Sequence, residues 1–183
     1  MEQALRQSAL VSARAQQRPA RRRPPDTLRP MPEPVDDASA MALALAQARR
    51  AGARGEVPVG AVVVHDGRVI AQAGNERELR QDPTAHAEVL ALRAAAEAIG
   101  SWRLDRATLV VTLEPCPMCA GALLGARVQR VVFGAPNHEN GSCGTLYNLC
   151  VDPRLNHEVE VVHGVEADAA TALLDAFFAD RRP

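Results

Sequence analysis

Lysine is absent from the 183-residue sequence, so all 21 basic side chains are Arg, while 34 residues are Ala. The two biases together fit a GC-rich coding sequence better than a physical adaptation. No apolar run reaches the roughly 18 residues of a membrane-spanning helix, which excludes one. The N-terminus has no apolar stretch ahead of a small-residue cleavage site, which excludes a secretory signal. Aromatics number only five (Trp102, Phe133, Tyr147, Phe177 and Phe178), so platforms for stacking unpaired bases are scarce. Four Cys are too few for a disulfide scaffold at this length. Two of them form a C-x-x-C pair, which points to metal or redox chemistry in a reducing compartment. The expected location is cytoplasmic. An apolar content of 47% rules out wholesale disorder, and the length fits one globular domain.

Charge is uneven. Residues 1–35 carry seven Arg against Glu2, Asp26 and Glu33, whereas residues 36–183 carry 14 Arg against 19 acids. The body is therefore mildly acidic, and bulk charge does not announce a nucleic-acid binder. Residues 1–36 read as a disordered Arg/Pro-rich extension. Arg21-Arg22-Arg23-Pro24-Pro25 and Pro30, Pro32 and Pro34 prevent a packed element. Its Arg-rich, acid-poor composition also mimics an organelle transit peptide. A solvated extension, or an upstream start codon with Met31 or Met41 as the true start, accounts for it more simply.

Residues 37–183 alternate helix and strand without repeats or low-complexity segments. Asp37-Ala38-Ser39 precedes an Ala/Leu-rich helix that runs to about Arg54, with Asp or Ser suited to cap it. Val59 to His65 reads as a buried strand, Asp66-Gly67 as a hairpin turn, and Arg68 to Gly74 as the returning strand. Asp82-Pro83 is expected to open a helix reaching Ile99, with Asp82 as N-cap and Pro83 first in the helix. Strands follow over Ala107 to Leu113 and Val128 to Gly134, with a short helix from Pro117 to about Gly125 between them. A long loop over residues 135–156, a strand from His157 to His163 and an amphipathic helix from Glu166 to Arg181 complete the chain. The order predicts an α/β fold, a five-stranded mixed sheet sandwiched between helices.

Two motifs stand where strand-to-helix connections open helices. One is Thr84-Ala85-His86-Ala87-Glu88, the other Glu114-Pro115-Cys116-Pro117-Met118-Cys119. One imidazole and two thiolates form the donor set Zn²⁺ prefers. No fourth donor stands at motif spacing, so the site reads as open, as a catalytic site requires. Cys116 at its helix N-cap and Cys119 in the first turn gain thiolate character from the helix dipole. Glu88, two residues past His86, suits a carboxylate aimed at water rather than at metal. A redox role for the C-x-x-C gives no reason for a His-x-Glu upstream. Cys143 and Cys150 read as free, partly buried thiols.

His-Ala-Glu followed by Pro-Cys-x-x-Cys resembles the zinc-dependent nucleobase deaminases. The flanks Glu56-Val57-Pro58-Val59-Gly60-Ala61-Val62, Asp82-Pro83-Thr84, Met118-Cys119-Ala120-Gly121-Ala122, Arg130-Val131-Val132-Phe133-Gly134-Ala135 and Leu155-Asn156-His157 narrow the resemblance. They point to the bacterial deaminases that form inosine at the tRNA wobble position. It spans about residue 40 to the end. The resemblance implies a three-layer α/β/α cytidine-deaminase-like fold and a homodimer whose partner subunit completes an anticodon-loop site. It implies zinc held by His86, Cys116 and Cys119, and Glu88 as the proton shuttle for hydrolysis at C6 of adenine. It also implies substrate contacts from Asn75, from the backbone around Val59 and Ala61, and from Asn137, which stands where the family usually carries Asp. Phe177, Phe178, Arg181 and Arg182 match a family tail placed near RNA. Deamination of a free base, nucleoside or nucleotide remains an alternative with the same chemistry, and a non-catalytic zinc-stabilised RNA-binding module is a second.

Overall fold

A computed structural model describes residues 34–179 and 181. The expected extension lies outside the described residues up to position 33. At its end, Val35 donates its N–H to Gly67 O, and Asp36 caps the first helix by accepting the Ser39 N–H at 2.7 Å. That helix, α1, spans Asp37–Ala53, so the cap falls one residue before the segment the sequence suggested. Strands β1 (Gly60–His65) and β2 (Arg68–Gly74) form the expected hairpin. Its turn residues Asp66 and Gly67 both sit in the left-handed region, at φ 49° and 73°, as a two-residue hairpin turn of matching twist demands.

A one-turn helix α2 (Arg77–Arg80) follows, then α3 (Ala87–Ile99), β3 (Ala107–Leu113), α4 (Pro117–Ala126) and β4 (Arg130–Ala135). A 3₁₀ turn at Leu149–Val151 interrupts the long loop, and β5 (Glu160–His163) and α5 (Ala167–Ala179) close the chain. The sheet order is β2-β1-β3-β4-β5, antiparallel on the β1 side of β3 and parallel from β3 to β5. The mixed sheet is thus as expected. Strands β4 and β5 each begin later than the apolar runs suggested, because Val128 and Val159 are buried in connections ahead of the ladder.

Alternation along the strands supplies both faces. Ala61 and Val63, Leu109 and Val111, and Val131 and Phe133 pack with the Ala-rich inner faces of α3 and α4. Val62, Val64, Val110 and Val132 point the other way, toward Met41, Leu45 and Ala170 of α1 and α5. Each Val, Leu, Phe or Met among them contributes about 1.5–3 kcal/mol when fully removed from water. Three layers result. The carboxyl ends of β2, β3 and β4 and the start of β1 lie at one end of the sheet, as the pairings Gly60 with Gly74 and Leu113 with Ala135 require. The helices α3 and α4 begin there too.

Candidate active site and metal centre

The segment before α3 departs from the sequence expectation. Instead of capping a helix at Pro83, the Asp82 carboxylate accepts the Thr84 N–H at 2.8 Å and the Thr84 hydroxyl at 2.7 Å. This local turn competes with the helix. Ala85 O meanwhile accepts the Glu76 N–H, tying the segment to the end of β2. The helix therefore starts at Ala87, and His86 is its N-cap in extended conformation, φ −71° and ψ 149°. A helix opening at Pro83 would have placed His86 within its first turn; instead His86 precedes the helix. In α4 the expectation holds: Pro117 occupies the first turn and Cys116 is the N-cap. Two helix N-termini thus present His86, Cys116 and Cys119 to one point.

His86 Nδ1 lies 3.8 Å from Cys116 Sγ and 3.6 Å from Cys119 Sγ. Donors of a tetrahedral site with zinc–nitrogen and zinc–sulfur bonds of ordinary length stand about 3.6 Å apart, so the spacing fits that ion. Among the described residues these three side chains form the one group of His, Cys, Asp or Glu able to hold a metal, and no fourth protein donor joins it. A hydrogen bond from Cys119, aided by His86, holds the Cys116 thiol down to about 4, so it stands as thiolate. Donating to Cys116 pushes Cys119 up, and bonding to Cys116 raises His86.

Glu88 is 4% exposed, in the first turn of α3. Burial pushes its carboxyl above the usual range, so it holds a proton at higher pH than a free glutamic acid. It lines, with His86 and Cys116, a cavity of about 530 Å³ at the carboxyl end of the sheet. Val59 and Asn75 form part of the same wall. Ala61 does not: one strand pleat further in, it is fully buried in the core. Asn137 lines the cavity, but its side-chain oxygen is committed to the N–H groups of Glu139 and Asn140, at 3.2 and 3.0 Å. It shapes the loop through that turn. Phe178 reaches the rim, edge-on to Phe177 at 5.2 Å, and the Arg181 guanidinium sits 3.8 Å over Phe177. Arg182 lies outside the described residues.

The sequence reading missed two buried carboxylates. Glu56, 1% exposed, accepts the Leu79 N–H at 2.7 Å, the Glu78 N–H at 3.2 Å and an Asn75 Nδ2–H at 3.2 Å. Glu114, equally buried, accepts the N–H groups of Asn137, Cys143 and Thr145, each at 3.0 Å, and the Thr145 hydroxyl. Burial alone would raise the Glu114 carboxyl, but these donors outweigh it and hold the group below its ordinary value. Its clamp leaves no space beside Gly141, where a Cβ would collide with the carboxylate and stand 2.5 Å from Asn137 O. Arg77 and His138 also line the cavity and were not singled out by any spacing. Cys143 and Cys150 are buried free thiols, Sγ to Sγ 3.5 Å, outside the metal group.

Residues 35–182 match the MafB19-like deaminase family. The chain is 51% identical to the tRNA-specific adenosine deaminase of Bacillus subtilis over 139 residues, 76% of this chain and 86% of that protein. It is 46% identical to that of Haemophilus influenzae over 147 residues, 80% and 85% of the two chains. A solved structure from work on A-to-I editing by tRNA:A34 deaminases at the wobble position superposes with a TM-score of 0.72 at 44% identity. It covers 74% of this chain and 98% of that one. The guanine deaminase of Nitrosomonas europaea gives a TM-score of 0.70 at 26% identity, covering 79% and 86%.

Proposed function

The chain belongs to the family of the bacterial tRNA-specific adenosine deaminases, and from that premise we propose that it hydrolyses adenosine to inosine at the anticodon wobble position of tRNA. The observation that carries this reading is the placement of Glu88, buried and in the same cavity as His86 and Cys116. A structural metal site has no use for a shielded acid beside it.

His86, Cys116 and Cys119 would hold zinc. Bound there with three protein donors, zinc supplies Lewis acidity that brings the pKa of water down to about 7. Glu88 does the proton work. Its carboxylate takes one proton as the water oxygen adds to C6 of adenine and passes it to N1; it then takes the second proton, from the new C6 hydroxyl, and passes it to the departing amine, which leaves as ammonia as the C6–N bond breaks. Burial suits both directions of transfer, since it lifts the Glu88 pKa toward the working pH. Asn75 holds the base edge through its side-chain amide, Val59 packs against the ring, and the loop at Asn137 closes the far wall.

The protein works as a homodimer. Helix α4 is apolar all round, PMCAGALLGA, yet only Cys119, Ala120 and Leu123 are buried within the chain. A helix with no polar face belongs against another surface. The deaminase domain is 37–183, and residues 1–36 are dispensable for the chemistry. The setting is cytoplasmic; among the described residues no helix is long and apolar enough to cross a membrane.

The deciding experiment incubates the zinc-loaded protein with an adenosine-containing anticodon stem-loop and, separately, with free adenosine, guanine and cytosine. Inosine in the stem-loop is expected. Turnover of a free base alone would overturn the tRNA assignment, and silence on all four with zinc bound would leave the non-catalytic module.

A further inference from the structure

We infer that Glu56 is a positioning residue for substrate recognition, acting through Asn75; this rests on the reading above that Asn75 touches the base.

Glu56 lies in the connection between α1 and β1, 19 residues before Asn75, and makes no contribution to the surface of the cavity. Its carboxylate is 1% exposed and carries no Arg or His partner among the described ion pairs. A buried carboxylate without a cation is held by hydrogen-bond donors instead. Here one donor is the Asn75 amide nitrogen in the cavity wall, and the other two are N–H groups in the first turn of α2, at Glu78 and Leu79. Helix α2 carries Arg77 into the cavity wall. One side chain therefore fixes both Asn75 and the turn that follows it.

The chemistry of the pair sets the orientation. Both Glu56 oxygens are engaged as acceptors of N–H groups, so the nitrogen end of the Asn75 amide faces Glu56. What remains for a ligand is the carbonyl oxygen and one N–H, in a fixed arrangement. Without the carboxylate, either end of the amide could turn to the cavity, and half of the orientations would set like against like at the base edge. Among the described residues no other hydrogen bond holds the Asn75 side chain; its own backbone N–H goes to Val59 O at 2.9 Å.

The test is a double-mutant cycle on stem-loop deamination. Glu56→Gln keeps the shape of the side chain but, with its own amide, accepts Asn75 in either orientation. Its kcat/KM should fall roughly ten- to a hundredfold, the range for losing one hydrogen bond to a charged group. Zinc content should not change. In an Asn75→Ala background the same Glu56→Gln substitution should have a clearly smaller effect, what is left being the weakened hold on α2. An equal loss in both backgrounds, or no loss in the single variant, overturns the inference. If the wild type does not deaminate the stem-loop, the functional reading fails first, which separates the two. Should Glu56→Gln not fold, the wild-type Asn75 side-chain amide decides. Its two protons should resolve separately by NMR, one of them protected from exchange, and free exchange of both overturns the inference.

Discussion

Cys119 Sγ lies 3.6 Å from His86 Nδ1, although β3 and 33 positions of chain separate the two residues. Neither side chain is displayed by a loop. Each stands at a helix N-terminus whose axis is fixed by packing on one face of the sheet, α3 and α4 side by side. The donor group is therefore as rigid as the core beneath it.

Glu88→Gln keeps the shape of the proton carrier and removes its acid–base function. Deamination should fall by about 10²–10⁴, with one zinc per chain retained by elemental analysis. Cys119→Ser should instead lose the metal. Equal zinc loss in both variants would move Glu88 from proton transfer to ligation.

Gly141→Ala places a methyl group against the Glu114 carboxylate and Asn137 O. A destabilisation of about 1–3 kcal/mol is expected from overpacking, read by urea melts. Stem-loop KM should rise, because the displaced loop lines the cavity. An unchanged melt would mean the loop is not gripped as described.

Asp37 is held below its ordinary carboxylate value, chiefly by its two hydrogen bonds from Arg130, both 2.7 Å. A lowered folded-state value means the stabilisation is present above the unfolded value near 3.8 and is lost as pH falls through the folded one. Asp37→Asn should therefore lower stability at pH 7 and cease to differ from the wild type at pH values below both. A difference that persisted in acid would contradict the assignment. The two side chains are 25% and 35% exposed and so partly screened by solvent, and the effect at pH 7 should be modest.

Gly121 faces out from α4, and a Cβ added there meets nothing within 4 Å of the same chain. Gly121→Arg should leave the protomer folded and convert a dimer to a monomer on light scattering. A variant that remains dimeric would place the interface elsewhere.

The metal group was legible because its information is local. His-x-Glu and Pro-Cys-x-x-Cys each mark one helix start, and alternating Val residues in β1, β3 and β4 fix which face each strand buries. What escaped is carried by contacts remote in sequence. Glu56 and Glu114 look like surface charges along the chain, yet both are buried, because their partners are N–H groups 22 to 31 positions away. The helix α2, Arg-Glu-Leu-Arg, has no apolar periodicity and forms over the Glu56 carboxylate. The late start of α3 was hidden because Asp82-Pro83 is an equally good signal for a helix cap and for the turn that Thr84 completes.

Glu114 grips the loop beyond β4 chiefly through main-chain N–H groups, at positions 137, 143 and 145. Those donors are supplied by any residue except proline. Between them, His138, Glu139 and Asn140 turn outward and are exposed at the cavity mouth. Their side chains can be exchanged without altering the support of the loop, while Gly141 cannot. The fold thus separates the part of the site that must stay constant for catalysis from a three-residue window where new substrate preferences can be tried one substitution at a time.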